Sequence, residues 1–330
     1  MRDHGGDLDR AMARYGGGDW LDLSTGINAR PYPFPDLPAR SWTALPTGAE
    51  IAALVVAARA NYGAGEGVDC VPLAGAQAAI QLVPRLGQPD EARVLGPTYN
   101  EHAGSLEAQG WRVTQVAEIA GLKGAPLAVV VNPNNPDGRF WPPEELIELA
   151  RHVGLLVVDE SFADPVPEYS MVRYLDRLPE GVRIVVLRSF GKFYGLAGVR
   201  LGFALGETAL IAPMRQMAGP WAVSGPAIAA GCKALADRTW QGAMIGQLAR
   251  DAVRMDALAE AAGWSLVGGT VLFRTYDTGD AVAAQDRLAA ARIWTRRFPY
   301  SDGWLRLGLP GPEADWARVE AALAPTPSRI

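Results

Sequence analysis

Two ionisable side chains lie just after short apolar runs of the sequence. Asp159 follows the run at residues 155–158, and Lys192 comes shortly after the run at 184–187. A lysine amine that loses its charge when buried can form an imine with an aldehyde. A nearby carboxylate can pair with a pyridinium nitrogen and keep it protonated, which makes an aromatic ring an electron sink. Together the two residues predict catalysis on a bound pyridine ring.

Three further polar residues could hold the rest of such a ring. The amide of Asn135 can donate to a phenolic oxygen. Ser189, three residues before Lys192, and Arg200, eight residues after it, can bind a phosphate, the arginine in a bidentate manner. Each residue taken alone has a plainer interpretation, such as a turn for Asn135, a helix N-cap for Asp159 or a surface charge for Arg200. Their ordered occurrence after apolar runs favours a single cofactor site.

The apolar runs themselves predict an α/β fold. Residues 127–131, 155–158 and 184–187 are continuously apolar, and residues 143–153 have helical spacing. Continuous apolar strands that alternate with helices indicate a mostly parallel sheet covered by helices on both faces. Ligands bind beyond the carboxyl ends of the strands in such a sheet, so the polar residues after these runs should meet at one edge.

The flanking segments predict an N-terminal arm and a smaller C-terminal domain. Four prolines at residues 30–38 exclude a helix or a central strand there. The predicted domains are an arm at 1–45, a large domain at 46–232 and a small α+β domain at 233–330. The small domain is predicted from alternating helical and strand patterns, namely helices at 247–262, 281–291 and 313–323 and strands at 270–274 and 304–309.

Composition limits the class of protein. The 330 residues are 49% hydrophobic and 20% charged, with a net charge of -5 and scattered basic residues, which argues against nucleic-acid or acidic-membrane binding. The chain opens without an apolar leader and has no apolar stretch long enough to span a bilayer, so we expect a cytoplasmic protein. Cys70 and Cys232 show no metal-ligand spacing, and no metal site is expected.

The ordered motifs resemble those of the class I and II aminotransferases, the aspartate aminotransferase fold family. The matching runs are Asn-Asn-Pro-Asp-Gly, Asp-Glu-Ser-Phe and Ser-x-x-Lys-(x)7-Arg, within a resemblance that spans residues from about 60 to 310. The resemblance implies fold type I, with a large domain built on a mostly parallel sheet, a smaller α+β C-terminal domain and an N-terminal arm. It also implies pyridoxal 5'-phosphate as the cofactor.

The resemblance implies a role for each cofactor residue. Lys192 would be the Schiff-base lysine and proton carrier, Asp159 the partner of the pyridine nitrogen and Asn135 the donor to the ring oxygen. A homodimer with shared active sites is implied as well. The remaining implied contacts are Gly75, Ala76, Gln77, Ser189 and Arg200 for the cofactor phosphate, Tyr99 for stacking on the ring and Tyr62 for the phosphate of a neighbouring subunit.

One position departs from the aminotransferase pattern. Phe162 stands where aminotransferases have a tyrosine that donates to the ring oxygen, and phenylalanine has no such donor. Asn135 would then be the one family donor left at that oxygen. Because one donor is missing, the anionic form of the ring oxygen is less favourable, and this argues against ordinary transamination.

The first 28 residues make the family resemblance more specific. His4-Gly5-Gly6-Asp7 and the run from Leu23 to Asn28, together with Phe162, resemble the threonine-phosphate decarboxylases of cobalamin biosynthesis. This implies decarboxylation of L-threonine O-3-phosphate to (R)-1-amino-2-propanol O-2-phosphate. The implied substrate contacts are Arg306 for the carboxylate, one of Arg296 and Arg297, preferably Arg296, for the phosphate, and His4, Gly26, Asn28 and Asn135 around them.

Three other functions compete with this interpretation. A histidinol-phosphate-type aminotransferase shares every cofactor residue except the tyrosine that Phe162 replaces, and the His4-Gly5-Gly6 opening also argues against it. A transcription regulator with this fold would need a DNA-binding segment, but residues 1–45 show no helix-turn-helix pattern. A doubly wound NAD enzyme would need Gly-x-Gly-x-x-Gly after a strand, and none is present.

Overall fold

The computed structural model describes residues 4–34 and 36–324; residues 1–3, 35 and 325–330, which fall in the predicted arm and small domain, lie outside it. Within this range no helix is long and apolar enough to cross a membrane. The helices are α1 (Leu8–Tyr15), α2 (Arg40–Thr43), α3 (Gly48–Tyr62), α4 (Ala76–Leu82), α5 (Glu101–Ala108), α6 (Pro143–Ala150), α7 (Phe190–Phe193), α8 (Thr208–Ala218), α9 (Gly225–Ala236), α10 (Arg238–Ala261), α11 (Ala281–Ala290) and α12 (Glu313–Leu323). The strands are β1 (Leu21–Asp22), β2 (Val68–Leu73), β3 (Glu91–Leu95), β4 (Arg112–Val116), β5 (Leu127–Val131), β6 (Leu156–Asp159), β7 (Ile184–Ser189), β8 (Gly202–Glu207), β9 (Ser265–Thr270), β10 (Phe273–Asp277), β11 (Ile293–Trp294), β12 (Arg296–Phe298) and β13 (Ser301–Gly308).

The described residues group into two compact units. The sheet unit contains Tyr32–Asn135 and Arg139–Thr239, and the terminal unit contains the described parts of Met1–Pro31, Pro136–Gly138 and Trp240–Ile330. The opening residues belong to the terminal unit because β1 pairs in parallel with β11. The predicted division into an arm, a large domain and a small domain concerns functional parts of the chain and stays a prediction.

The sheet unit is built on a seven-stranded sheet in the order β2-β8-β7-β6-β5-β3-β4. Its pairs are parallel except at β8, which is antiparallel to both β2 and β7. Every residue of β5 and β6 is buried, which explains why these strands are continuously apolar. The α/β prediction is confirmed, and the three apolar runs form the adjacent strands β5, β6 and β7.

The terminal unit contains a four-stranded antiparallel sheet in the order β12-β13-β10-β9. The single strand predicted at 270–274 is wrong, because the chain turns there and makes the hairpin β9–β10. The hydroxyl of Thr270 accepts a hydrogen bond from the Leu272 N–H at 3.0 Å and closes the turn. The error arose because the turn residues are as apolar as the strands beside them, so the pattern shows no break.

The start of β8 lies against the loop that opens α4. A Cβ added at Gly202 would lie 2.4 Å from the Ala76 nitrogen and 2.9 Å from the Arg188 carbonyl oxygen, and neither backbone atom can easily move.

We predict that Gly202→Ala lowers the free energy of unfolding by about 1–3 kcal/mol. Gly242→Ala is the control, since Gly242 lies in α10 with open space around it, and should raise stability by about 0.5–1 kcal/mol. Denaturant unfolding measures both, and equal effects would contradict the close approach.

Candidate active site

A cavity of about 140 Å³ in the sheet unit gathers most of the predicted cofactor residues. These residues come from segments far apart in the sequence, which meet because β5, β6 and β7 are parallel and end at the same edge of the sheet. In the register, Val131 pairs with Asp159 and Asp159 pairs with Leu187. The residues that line the cavity are Ala76, Gln77, Ile80, Tyr99, Val131, Asn135, Asp159, Ser161, Phe162, Ser189, Lys192 and Arg200.

Asp159 is held as a carboxylate although it is only 2% exposed. Its Oδ2 lies 2.8 Å from His102 Nε2, and its Oδ1 accepts from the Ser161 N–H at 2.9 Å and hydroxyl at 2.5 Å. Burial by itself raises the pKa of Asp159, but the hydrogen bonds from His102 and Ser161 outweigh it and leave the pKa below its usual value. An anion is therefore preorganised at the bottom of the cavity.

His102 and Ser161 were missed at the sequence level. Ser161 could have been found, because a hydroxyl two residues after a carboxylate commonly closes a local turn onto it. His102 had a weaker signal: it lies three residues after Tyr99, a spacing that can place two side chains on one side when a helix begins between them. Its pairing with Asp159, 57 residues away, depends on tertiary structure.

A hydrogen-bonded chain fixes the orientation of Gln77. Its Nε2 donates to Glu101 Oε2 at 2.9 Å, and its Oε1 accepts from the Tyr99 hydroxyl at 3.2 Å. Because a carboxylate only accepts, the amide nitrogen must face Glu101 and the amide oxygen must face Tyr99. The ring of Tyr99, predicted to stack on the cofactor, is thus anchored by a buried acid that the sequence did not reveal.

The residues predicted to bind a phosphate lie together at one end of this cavity. Gly75 has φ +82, and a Cβ there would come within 2.6 Å of an Arg200 guanidinium nitrogen. Arg200 itself has φ 56, an unusual conformation for a side chain of this size, and its Nη1 donates to Ala197 O at 3.1 Å. Ser189 also lines the cavity. A glycine at 75 is therefore required for the guanidinium to approach the loop.

The donors and acceptors of this cavity fit pyridoxal 5'-phosphate. Asp159 would hold the pyridine nitrogen, Asn135 the ring oxygen and Lys192 the aldehyde carbon. Ser189, Arg200 and the residues from Gly75 to Gln77 would hold the phosphate. Lys192 Nζ lies 5.7 Å from the Phe162 ring centroid, so an apolar ring occupies the place where a tyrosine donor was missing in the sequence.

Tyr62 does not join this cavity. It is 4% exposed, with its ring against Phe203 and under the Arg188 guanidinium, whose carbon lies 4.2 Å from the ring centroid. Its predicted contact with the phosphate of a neighbouring subunit stays a prediction. A tyrosine at the end of a helix can point inwards as readily as outwards, and Tyr62 packs inwards in this chain.

A buried ion cluster supports the loop that carries Asp159. Glu160 accepts from Arg188 Nη1 at 2.7 Å and from the Ser170 hydroxyl at 2.5 Å, and Arg188 Nη2 lies 3.0 Å from Asp164 Oδ1. Buried charges of this kind are tolerated only when they are paired. The cluster ties the end of β6 to β7 and thereby fixes the backbone at Asp159.

The terminal unit contains a separate cavity of about 650 Å³ that is strongly basic. It brings together His4, Arg296 and Arg297 from the predicted substrate residues. Gly26 and Asn28 are not among its lining; Asn28 is buried, and its Oδ1 accepts from the Arg30 N–H at 2.9 Å. The lining residues are His4, Asp7, Arg10, Arg14, Ser24, Gln285, Trp294, Thr295, Arg296, Arg297, Phe298 and Pro299.

The opening motif places His4 by a close backbone approach. A Cβ at Gly5 would lie 2.3 Å from the Ser24 carbonyl oxygen, and Gly6 N–H donates to the Ser24 hydroxyl at 2.7 Å. Ser24 in turn donates to Asp22 Oδ1 at 2.5 Å. Glycine is required at residue 5 for this contact, which fastens the start of the chain beside the cavity.

Arg296 and Arg306 are direct cross-strand neighbours on β12 and β13. Like charges in this position repel each other, and two adjacent guanidinium groups attract anions. Arg306 is 6% exposed and its Nη2 donates to Ser24 O at 2.6 Å. Burial, and after it the charge of Arg296, lowers the pKa of Arg306 to about 10, so it remains charged at neutral pH.

Arg297 occupies the opposite face of β12. Successive residues of a strand point to opposite faces, so Arg297 cannot share the face of Arg296 and Arg306. Its Nε donates instead to Gln285 Oε1 at 2.7 Å. The geometry therefore separates the two arginines between which the sequence left the phosphate contact undecided.

Comparisons with known proteins show which family and which solved structures the chain is similar to. The family model described as aminotransferase class I and II matches residues 50–323. The chain is 43% identical to a threonine-phosphate decarboxylase of Sinorhizobium sp over 97% of each chain, and 42% identical to one of Pseudomonas aeruginosa over 98% of this chain and 97% of the other. The histidinol-phosphate aminotransferase of Sinorhizobium meliloti, solved with pyridoxal-5'-phosphate, has a TM-score of 0.84 at 20% identity, covering 96% and 93% of the two chains.

The buried pair of His102 and Asp159 should be energetically coupled. We predict that His102→Ala lowers the free energy of unfolding at neutral pH by about 3–5 kcal/mol, since it leaves a buried carboxylate short of a donor. In an Asp159→Asn background the same change should cost clearly less. His152→Ala is the control, because His152 is exposed, lies just after α6 and pairs with the exposed Glu148 of that helix.

The pH dependence follows from the lowered pKa of Asp159. A carboxylate whose folded pKa lies below its unfolded value of about 3.9 stabilises the fold above that value and loses the contribution as pH falls through the folded pKa. The decrease in the free energy of unfolding caused by His102→Ala should therefore be largest at neutral pH and smaller in strong acid. Denaturant unfolding at several pH values measures this decrease. An equal decrease in the wild-type and Asp159→Asn backgrounds would contradict the coupling.

Proposed function

The chain belongs to the class I and II aminotransferase family, and from this premise we propose that it decarboxylates L-threonine O-3-phosphate to (R)-1-amino-2-propanol O-2-phosphate in cobalamin biosynthesis. Its cofactor is pyridoxal 5'-phosphate. The observation that carries the proposal is the cross-strand pair of arginines, Arg296 and Arg306, of which Arg296 lines the same cavity as His4. A substrate with a carboxylate and a phosphate offers one anionic group to each arginine.

The cofactor, when bound, supplies an electron-withdrawing ring that stabilises the negative charge left at the substrate Cα after a bond there breaks. Asp159 would hold a proton at the pyridine nitrogen, because its own pKa is kept low and it stays anionic. Lys192 would hold the cofactor through its aldehyde carbon, and Lys192 or water would deliver the proton that replaces the lost carboxylate at the substrate Cα. Such preorganised charge is commonly the largest catalytic contribution.

The choice of bond is made by the groups that orient the substrate. Arg306 would hold the substrate carboxylate, and Arg296 and His4 would hold the substrate phosphate. We propose that this second anchor orients the substrate so that the bond to the carboxylate breaks and carbon dioxide leaves, whereas a substrate held by its carboxylate alone would lose the Cα proton and be transaminated.

Phe162 supports decarboxylation over the second candidate, a histidinol-phosphate-type aminotransferase. The fold alone favours neither, because the histidinol-phosphate aminotransferase of Sinorhizobium meliloti shares it. Phe162 is 5% exposed and lines the sheet-unit cavity without a hydrogen-bond donor. With Asn135 as the remaining family donor, the ring oxygen is held less strongly as an anion, which disfavours the ordinary aminotransferase cycle.

The proposal includes a homodimer in the cytoplasm. The family resemblance supports a dimer, and so do large apolar side chains exposed on and beside α2 and α3. Trp42 is 66% exposed, Leu45 62% and Val56 67%. Apolar side chains grouped in this way commonly mark a protein interface. The shared active sites of this dimer, with Tyr62 as a contact to the neighbouring subunit, are part of the same proposal.

Product analysis tests the reaction. The enzyme incubated with threonine phosphate and no 2-oxo acid should release carbon dioxide and aminopropanol phosphate in equal amounts, because decarboxylation needs no amino-group acceptor. Lys192→Ala is the inactive control and should release neither. A requirement for a 2-oxo acid, with the amino group transferred to it, would establish the aminotransferase instead.

Kinetics of arginine variants test the phosphate anchor. We predict that Arg296→Gln raises the KM for threonine phosphate by about tenfold to a hundredfold, which corresponds to the loss of one charge-assisted hydrogen bond. The KM for threonine, which has no phosphate, should change much less. Arg297→Gln should have the smaller effect, because its guanidinium faces Gln285. If Arg296→Gln shifts both KM values alike, the phosphate does not bind there.

A further inference from the structure

The basic cavity of the terminal unit extends beyond Arg296 along helix α1. Arg10 and Arg14 both line it and lie four residues apart on that helix, so they share a face. Like charges at this spacing disfavour a helix, so helix stability does not explain their placement. Both side chains are exposed, which leaves them accessible to a ligand from solvent.

Arg297 lines the same cavity as these two arginines. Strand β12 is an edge strand, paired with β13 alone among the described strands, so a cavity can extend around it. The cavity therefore brings together arginines from α1 and from β12, which are far apart in the sequence.

The cavity has more positive charge and more room than one small substrate needs. Its lining contains four arginines, Arg10, Arg14, Arg296 and Arg297, against the single carboxylate of Asp7. Asp286, outside the lining, pairs with Arg14 at 3.2 Å and leaves the excess positive. A volume of about 650 Å³ is within the range for ligands much larger than a phosphorylated amino acid.

We propose that Arg10, Arg14 and Arg297 form a second anion site, the outer subsite, which captures phosphate monoesters before they pass to Arg296. A group of like charges at a concave wall concentrates anions and raises their rate of entry. The outer subsite serves the substrate on entry and the product on exit, since both are phosphate monoesters. Its role in turnover rests on the proposed function, whereas its affinity for phosphate does not.

Binding stoichiometry of inorganic phosphate tests the outer subsite without turnover. Equilibrium dialysis of the holoenzyme should find two phosphates per chain in the wild type and one in Arg10→Gln/Arg297→Gln. The lysine variant Arg10→Lys/Arg297→Lys keeps the charges and should again bind two. Arg250→Gln/Arg287→Gln, which removes two charges outside the cavity lining, is the matched control and should also bind two.

A single phosphate in the wild type would overturn the proposal, and so would two phosphates in Arg10→Gln/Arg297→Gln. Circular dichroism of that variant, together with the recovery of binding in the lysine variant, separates loss of the subsite from loss of the fold. If the enzyme fails to decarboxylate threonine phosphate, the number of phosphates bound per chain still shows whether the outer subsite exists. Failure of the proposed reaction and failure of the outer subsite are therefore distinguishable.

The ionic-strength dependence of turnover tests the capture role. For threonine phosphate, kcat/KM should fall with salt in the wild type, because the attraction is screened over about 10 Å at 0.1 M and about 3 Å at 1 M. In Arg10→Gln/Arg14→Gln, kcat/KM should be several-fold lower at low salt, equal to the wild type at high salt, and kcat unchanged. A salt dependence as steep as that of the wild type would rule out capture by these arginines.

Discussion

The sheet unit depends on burying two adjacent carboxylates, Asp159 and Glu160, at the end of a central strand. Each would be costly alone, since a buried charge without partners loses its hydration. The two point to different partners: Asp159 to His102 and Ser161, Glu160 to Arg188. This arrangement satisfies both charges, holds the backbone between β6 and β7, and leaves Asp159 anionic in the cavity. The chemistry we propose uses that anion.

Strand direction explains how the remaining cofactor groups reach the same edge. β5, β6 and β7 are parallel, so the residues after them emerge together. β8 is antiparallel to β7, which brings its beginning, and Arg200 just before it, to that edge as well. β2 is antiparallel to β8 and so ends there too, which places Gly75 beside Arg200. One reversal in an otherwise parallel sheet thus completes the phosphate-binding end of the cavity.

The terminal unit places arginines next to one another. Arg296 and Arg306 face each other across β12 and β13, and Arg10 and Arg14 share a face of α1. Arg14 is also paired with Asp286. Grouped arginines attract anions, and the substrate that we propose carries two anionic groups.

The sequence by itself determined the strands at residues 127–131, 155–158 and 184–187, the residue types that follow them and hence the cofactor class, because apolar periodicity and motif order are local properties. Tertiary structure alone decided that His102 meets Asp159, that Tyr62 points inwards, and that residues 270–274 turn within a hairpin. It also decided that Arg296 and Arg297 lie on opposite faces of β12, through the register of β12 on β13. A one-residue change of register reverses the face of every side chain in a strand, and register depends on pairing between distant segments, which no local pattern records.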